Sequence, residues 1–348
     1  MTTIDDVARH AGVSPATVSR VLNGTAEVSS DRSARVRQAA EALRYRPSGP
    51  ARALRRRRTT LWAAIVADVQ NPFFTAVIRG AEDIAQQAEH RLVLCNSDED
   101  VAKEADYVEE AIADRMAGVI IAVASTRRSD LTPLIHNGIP VVAIDRRPPN
   151  EEIDSVLVDN RAGALDATRH LLDGGAERVA CVTGPRRLSN AQTRLDGYHD
   201  ALEERGHAID RGLVRRADFR EEGGYQAALD LLDRDDPPDA FFVANNLMTM
   251  GVLRAVRERG CRVPDDVAMV GFDDAPWTTL VTPQLSVVSQ PTQEIGRQAA
   301  RLLATASADR EPRHVLLSPT LVPRESSRSV ATSTTAATTT SPADGEVP

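Results

Sequence analysis

This chain contains few cysteines, a single lysine and no long apolar run. The shortage of cysteine and the lack of apolar runs each exclude a class of protein. Three cysteines, Cys95, Cys181 and Cys261, are too few and too far apart for a disulfide framework or a zinc motif, so we expect reduced thiols. Lys103 is the single lysine, so arginine supplies nearly all the positive charge. No stretch approaches about 18 uncharged apolar residues, which excludes a membrane-spanning helix. The first residues form no apolar signal region, so we expect a cytoplasmic protein.

Motifs of several enzyme classes are missing as well. No glycine-rich loop leads into a lysine, and no GxGxxG follows a strand-like run, so the common nucleotide-binding loops are absent. The seven histidines form no HExxH motif, and no GxSxG elbow occurs. We therefore expect no catalytic residues, no metal ion and no cofactor. The pair Asp273-Asp274 follows a strand-like run, where a ligand of a parallel sheet binds.

Positive charge is concentrated at the N-terminus. Residues 1–58 contain twelve arginines and five acidic residues, a net charge of +7. Since the whole chain carries −8, the remaining residues carry −15. A basic segment joined to an acidic body is typical of a protein that binds DNA through one end.

Residues 3–23, TIDDVARHAGVSPATVSRVLN, have the pattern of two short helices joined by a tight turn. Thr3 and Asp6 form a capping box that begins the first helix. Gly12 then supplies the turn. This pattern predicts a helix-turn-helix, whose second helix enters the major groove of DNA. An ordinary helical hairpin in a globular domain is the alternative interpretation.

The second helix begins at Ser14 and Pro15, because serine is a favoured N-cap and proline is tolerated at the first helical position. Polar and apolar residues alternate along it, so one face can pack while the other contacts bases and phosphates. The polar residues expected on that face are Thr17, Ser19, Arg20 and Asn23.

Composition divides the chain into four parts. Residues 1–47 form the helical head, whose third helix is capped by Ser29. Residues 48–60 are small and basic, and we expect them to be a hinge that becomes helical only against DNA, with a flexible basic linker as the alternative. Residues 61–326 form the core. Residues 327–348 are mostly Ser, Thr, Ala and Pro, and we expect them to be disordered.

The core alternates short apolar runs with amphipathic helical stretches. This alternation predicts an α/β fold of two doubly wound parallel-sheet lobes, with a break between the lobes near residues 155–160. Two lobes that face each other form a ligand cleft at the carboxyl ends of their strands. The predicted strands are residues 61–67, 91–95, 118–124, 140–145, 178–184, 240–245 and 267–272.

These motifs together resemble the LacI family of bacterial transcription regulators over about residues 2–326. The head motif is matched by TIDDVARHAGVSPATVSRVLN, the third helix by VSSDRS and the hinge by YRPSGPARALR. The core matches in NPFF, GPRR…RLDGY, VANNLMTMG, VGFDD and SQP, in the family order. The resemblance implies a core similar to periplasmic sugar-binding proteins, with three crossings between the lobes. It also implies a homodimer that binds a near-palindromic operator in double-stranded DNA.

The resemblance assigns DNA contacts to the head and the hinge. Arg20 is the candidate for a bidentate bond to guanine, and Pro15 and Ala16 offer apolar contacts to bases. Leu54 matches the hinge leucine that family members insert into the minor groove, and Ala51 lies one turn earlier. The remaining DNA contacts, mainly to phosphates, are assigned to Ser14, Thr17, Ser19 and Asn23.

The resemblance also implies a set of residues around a small-molecule effector. Carboxylates, amides and an arginine suit the hydroxyl groups of a sugar, and phenylalanine can stack on its apolar face. Asn246 departs from the pattern, because many relatives carry an acid there. The implied effector-binding residues are Asn71, Phe73, Asp145, Asn190, Arg194, Phe219, Asn245, Asp273 and Gln290.

The sequence thus predicts a repressor whose affinity for its operator is controlled by a sugar or sugar derivative. A purine-type corepressor is the alternative within this class, because phenylalanine and arginine can also hold a base. A sugar-processing enzyme would need an acid–base pair that the sequence does not supply. A transport protein would need an export signal. A DNA-bending protein without a ligand is a further alternative.

Overall fold

The computed structural model describes residues 2–23, 28–45, 59–307 and 310–327. The predicted hinge, including Ala51 and Leu54, lies outside the described residues except for residues 59–60. The predicted disordered tail likewise lies outside them after Ser327. The chain folds into two compact units, an N-terminal head and a larger core that begins at Leu61.

The head consists of three helices, α1 (Ile4–Ala11), α2 (Pro15–Asn23) and α3 (Ser30–Ala42). The predicted capping box is confirmed, because the Thr3 hydroxyl accepts from the Asp6 N–H and the Asp6 carboxylate accepts from the Thr3 N–H at 2.9 Å. Gly12 ends α1 with φ 61° and ψ 42°, a left-handed conformation that glycine adopts without strain. The structure therefore has the predicted helix-turn-helix.

Small apolar side chains form the centre of the head. The core residues of the three helices are Val7, Ala8, Ala11, Val18, Val36, Ala39 and Ala40. Ser29 stands at the N-cap of α3 as predicted, but its side chain makes no capping bond within the described head.

The elements of the core follow one another in alternation. They are β1 (Leu61–Val66), α4 (Pro72–Gln87), β2 (Arg91–Asn96), α5 (Val101–Ala113), β3 (Gly118–Ile121), α6 (Thr132–His136), β4 (Val141–Ile144), β5 (Asp154–Val158), α7 (Asn160–Asp173), β6 (Val179–Thr183), α8 (Ser189–Glu204), β7 (Val214–Arg216), α9 (Glu221–Leu232), β8 (Ala240–Val243), α10 (Asn246–Glu258), β9 (Ala268–Phe272), β10 (Ser286–Ser289), α11 (Thr292–Ala304), β11 (His314–Leu317) and β12 (Thr320–Val322). Two short 3₁₀ turns, Arg211–Leu213 and Pro276–Thr279, interrupt this order.

The strands form two six-stranded sheets, which define lobe 1 and lobe 2. The lobe 1 order is β11-β5-β4-β3-β1-β2, and the lobe 2 order is β12-β10-β9-β8-β6-β7. All neighbours are parallel except β12, which runs antiparallel to β10. The strands are short and mostly buried on both faces, as expected of sheets covered by helices. The predicted fold class is confirmed.

The chain passes between the lobes three times: from β5 to α7, from β10 to α11, and from β11 to β12. The first passage follows Val158 and confirms the predicted break. The three crossings implied by the family resemblance are therefore present. Within the described ranges, no helix is both long and apolar enough to span a bilayer.

Candidate functional site

All nine effector-binding residues implied by the resemblance line a single cleft between the two lobes. Six of them follow the carboxyl ends of strands, and Phe73, Asn190 and Arg194 lie on α4 and α8. The cleft encloses about 440 Å³ of space that is free of protein atoms and partly open to solvent. This is the place where ligands bind in open α/β sheets.

Direct hydrogen bonds join the lobes across the cleft. The Asn190 amide of lobe 2 donates to both carboxylate oxygens of Asp145 in lobe 1, at 3.1 and 3.0 Å. The Asn246 amide donates to Asn71 Oδ1 at 2.9 Å. A ligand that enters between these groups exchanges contacts between the lobes for contacts to itself, so binding is linked to the arrangement of the lobes.

Asp273 is the acceptor at the centre of the lobe 2 side. Gln290 Nε2 donates to its Oδ1 at 2.5 Å, and Asn246 Nδ2 donates to its Oδ2 at 2.9 Å. Asn246 thus acts as a donor to a neighbouring acid. Its own Oδ1 is buried without a hydrogen-bond partner among the described residues.

Three of the nine predicted effector-binding residues have a left-handed backbone although they are not glycine. The φ angles are 63° at Asp145, 65° at Phe219 and 79° at Asp273. Each such conformation costs of order 1–3 kcal/mol and persists where the surroundings impose it. Each of the three residues lies just after a strand, so the backbone is bent in the segments that hold the side chains in the cleft.

Arg194 is buried, and two nitrogens of its guanidinium group donate hydrogen bonds within the protein. Its Nε donates to Asn160 Oδ1 at 2.7 Å and its Nη1 donates to the Ala244 carbonyl at 2.6 Å. The guanidinium carbon lies 3.7 Å from the centre of the Phe272 ring. Burial lowers the pKa of Arg194, against the opposing effect of Asp273 and Asp145. Nη2 forms no hydrogen bond with another described residue.

Asn245 already holds protein partners at both ends of its amide. Its Nδ2 donates to the Phe219 carbonyl at 2.9 Å, and its Oδ1 accepts from the Met248 N–H at 2.9 Å. Both ends of its amide therefore serve to begin α10 and to hold the loop of Phe219. The Phe219 ring fits because residue 184 is glycine: a Cβ there would lie 2.3 Å from the tip of the ring.

Sequence reasoning missed a buried ion pair at one end of the cleft. Arg146 Nη1 and Nη2 donate to the Glu99 carboxylate at 3.0 and 2.5 Å, and Arg146 Nε lies 3.3 Å from Asp145 Oδ2. Burial works against the charge of Arg146, but Glu99 and Asp145 outweigh it and raise its pKa. Burial raises the pKa of Asp145 although Arg146 and Arg194 oppose this. The other missed residues of the cleft are Asp68, Phe74, Asp218 and Arg220.

In the head, the predicted DNA contacts are mostly accessible. Ser14, Pro15, Ala16 and Arg20 are exposed, and Thr17 is half-buried. Ser14 Oγ accepts from the Thr17 N–H at 3.3 Å, which confirms the predicted cap.

Ser19 does not lie on the exposed polar face that the sequence predicted. It is only 7% exposed, because it follows Val18 on the side of α2 that packs in the head. Asn23 is the last residue of α2, and its side chain lies outside the description.

The described part of the chain holds no group of three or more His, Cys, Asp and Glu side chains arranged to bind a metal ion. The cleft offers hydrogen-bond donors, acceptors and phenylalanine rings, the chemistry of reversible binding to a small polar molecule.

Two family models match the two parts of this chain. Residues 3–48 match the model described as bacterial regulatory proteins, lacI family. Residues 168–327 match the model described as a periplasmic binding protein-like domain.

Full-length similarity extends over both parts. The ribose operon repressor of Halalkalibacterium halodurans is 37% identical over 303 residues, which cover 87% of this chain and 89% of that protein. A solved complex of the transcriptional regulator CelR with cellobiose has 32% identity and a TM-score of 0.71, over 94% of this chain and 100% of the other. The Lac repressor dimer bound to operator and the anti-inducer ONPF has 26% identity and a TM-score of 0.80, over 93% and 98%. These relatives are regulators of transcription, not enzymes.

Proposed function

The chain belongs to the LacI family of bacterial regulatory proteins, and from this premise we propose that it is a repressor whose affinity for operator DNA is controlled by a sugar or sugar derivative. The cleft between the lobes carries this proposal. Its nine predicted effector-binding residues gather two carboxylates, four amides and an arginine around two phenylalanine rings, at the carboxyl ends of strands from both lobes.

Neutral sugars suit this chemistry. Hydroxyl groups both donate and accept, and Asp145, Asp273 and the Nη2 of Arg194 complement them with charge-assisted bonds. Phe73 and Phe219 supply apolar faces for the ring of a sugar. The similarity to a ribose operon repressor and to a regulator solved with cellobiose supports this class of ligand.

A purine-type corepressor is the second candidate. Phe219 offers a ring held in place by Gly184, and Arg194 offers donors to a heterocycle. A sugar and a base would therefore compete for the same cleft, so a single screen distinguishes them.

DNA binding is assigned to the head. We propose that α2 enters the major groove with Pro15, Ala16 and Arg20 facing the bases. Ser14, Thr17 and Asn23 are proposed phosphate contacts; Ser19 stays a predicted contact that its burial makes less favourable.

The hinge roles of Ala51 and Leu54 remain predictions from sequence. The similarity to the Lac repressor dimer on its operator supports a homodimer that reads a near-palindromic site. Such a protein acts in the cytoplasm, where the operator is. The proposed division of the chain into head, hinge, core and tail is the one that such a repressor needs.

A thermal-shift screen of sugars and nucleobases tests the proposed ligand. A ligand that binds only the folded protein stabilises it by about 2.7 kcal/mol at a concentration of 100 times its Kd. We expect at least one member of the sugar set to raise the Tm of the full chain. If only nucleobases raise it, the corepressor alternative replaces the sugar, and if neither set does, the proposed ligand class is wrong.

A further inference from the structure

Five exposed arginines lie on the loops that follow β3, β4 and β6. We call them the arginine rim: Arg127, Arg128, Arg147, Arg186 and Arg187. They come from the sequence pieces TRRS, DRRP and GPRR, of which only the last belongs to a motif used above. The proposed function makes no use of their charge.

Backbone and hydroxyl contacts hold these loops together. The Thr126 N–H donates to the Arg187 carbonyl at 3.2 Å, and the Ser189 N–H donates to Thr126 Oγ1 at 3.2 Å. The Arg147 N–H donates to Ser189 Oγ at 2.9 Å. Since β3 and β4 belong to lobe 1 and β6 to lobe 2, the arginine rim is assembled from both lobes.

The positive charge of the rim is mostly unneutralised. Arg187 Nη2 lies 3.6 Å from Glu99, whose carboxylate is already bound by Arg146. The other four rim arginines form no ion pair with any described acidic residue. The nearby Asp130 carboxylate accepts from the N–H of Thr132, the first residue of α6. Elsewhere on the acidic core, some exposed arginines such as Arg262 are paired with carboxylates, whereas Arg211 and Arg257 form no ion pair with a described acidic residue.

A sixth arginine, Arg216, lies next to the rim and adds to its positive potential. Arg216 is half-buried, and its Nη1 donates to the Gly184 carbonyl at 3.2 Å. Burial and the charge of Arg186 lower the pKa of Arg216. Like charges gathered in this way repel one another, and a bound anion removes the repulsion.

We propose that the arginine rim binds the phosphate group of a small phosphorylated metabolite between the two lobes. Guanidinium groups match phosphate oxygens with paired N–H donors, which explains arginine in this place. Because the rim contains arginines from both lobes, a bound phosphate stabilises the arrangement in which the lobes touch. The phosphate is either carried by the ligand of the cleft, in which case the inference rests on the proposed function, or bound as a free anion beside it.

Thermal unfolding of the full chain at constant ionic strength tests this inference. The probes are inorganic phosphate, glucose 6-phosphate and glucose, with chloride as the balancing anion. The rim variant is Arg127→Ala/Arg186→Ala, which removes one exposed arginine from each lobe. The matched control is Arg301→Ala/Arg262→Ala, which also removes one exposed arginine from each lobe but leaves the rim intact.

We expect phosphate or glucose 6-phosphate to raise the Tm of the wild type and of the control in a saturable manner. The rim variant should bind the same probe about tenfold or more weakly, as expected when a charge-assisted bond is deleted. A response to inorganic phosphate identifies a free-anion site; a response to glucose 6-phosphate alone, with glucose inert, places the phosphate on the cleft ligand. Equal responses of rim variant and control, or no saturable response to either phosphate, overturn the inference. No DNA is present, so this failure is distinct from a failure of operator control.

Discussion

At the scale of single residues, the cleft depends on buried polar groups whose partners come from distant parts of the chain. Asp273 accepts hydrogen bonds from Gln290 and Asn246, so it is ready to accept from a ligand with its remaining lone pairs. If an acceptor oxygen of Asp273 were removed, the buried amide donors of Gln290 and Asn246 would lose their partner. An unsatisfied buried donor costs more free energy than an average hydrogen bond contributes.

Asp273→Asn tests this acceptor. The new amide places N–H groups against existing donors, so we expect effector affinity to fall about tenfold or more while the operator affinity of the ligand-free protein is unchanged. Titration of the ligand found by thermal shift, followed by tryptophan fluorescence, measures the change. Asp265→Asn, at an exposed site in lobe 2, is the control. Equal affinity in the two variants would show that Asp273 does not contact the ligand.

Arg20→Ala tests base reading by the head. Arg20 is exposed near the end of α2, and loss of a bidentate guanine contact costs about 1–3 kcal/mol of discrimination. We expect operator binding to weaken by that amount while binding to random DNA changes little. Arg9→Ala, which removes an exposed arginine from α1, should weaken both kinds of binding alike. Gel-shift titrations on operator and random DNA make the comparison, and an equal loss on both for Arg20→Ala contradicts a base contact.

The family resemblance implied nine residue positions in the cleft, but it did not give the roles of individual atoms. The nine residues meet because each follows a strand or lies in the first turns of the next helix. The bonds of Arg194 to Asn160 and of Asn245 to the Phe219 carbonyl join residues 34 and 26 positions apart, and no local pattern indicates them. Arg194→Ala therefore removes partners of Asn160 and Ala244 and destabilises lobe 2, so it is a poor test of ligand binding.

At the scale of elements, close helix pairs set the shape of the lobes. In lobe 1, α4 and α11 approach at two glycines, Gly80 and Gly296. A Cβ at residue 296 would lie 1.9 Å from the Val77 carbonyl oxygen, and one at residue 80 would lie 2.1 Å from the Gln293 carbonyl oxygen. Backbone atoms cannot move aside as a side-chain tip can, so these positions require glycine.

Gly296→Ala tests this contact. Alanine improves helix propensity by up to about 1 kcal/mol, but the clash forces the two helices apart. Overpacking costs about 1–3 kcal/mol or more, so we expect a net loss in the free energy of unfolding of the core. Urea unfolding followed by far-UV circular dichroism measures it. Arg297→Ala, on the next residue of α11, should change stability by no more than about 0.5 kcal/mol. A variant as stable as the wild type would mean that α4 and α11 are farther apart than described.

Strands with continuous apolar runs were predictable, whereas strands with buried polar residues were not. All seven predicted strands are present, from β1 to β9. At β5 the sequence predicts only the break between the lobes and not a strand, because the strand begins with the polar residues Asp154 and Ser155. Asp154 is buried, and its carboxylate accepts hydrogen bonds from the Arg313 N–H at 2.8 Å and from the Arg310 guanidinium. Both arginines lie more than 150 residues later in the chain. The strands β7 and β12 are three residues long and lie at sheet edges.

At the scale of the whole molecule, charge separation organises the chain. The head and hinge together carry a net charge of +7 and the body carries −15, so DNA is attracted to the head. Because arginines contact the phosphates, we expect the affinity for DNA to fall steeply as the salt concentration rises. The arginine rim gathers several unpaired positive charges on the acidic body, which is why it points to a ligand of opposite charge. The lobes share direct contacts through Asn190 and Asn246, so a molecule in the cleft acts on the entire core.

The most direct test is a titration of the purified full chain into labelled near-palindromic DNA from beside its own gene, at low ionic strength. Fluorescence anisotropy is recorded with and without the metabolite that raises the Tm. The account predicts specific binding that the metabolite changes at least about fivefold, at the lower end of typical allosteric couplings, and that Asp273→Asn binds the DNA but no longer responds. Absence of specific binding, with or without metabolite, or an affinity that no ligand of the cleft alters, would contradict it.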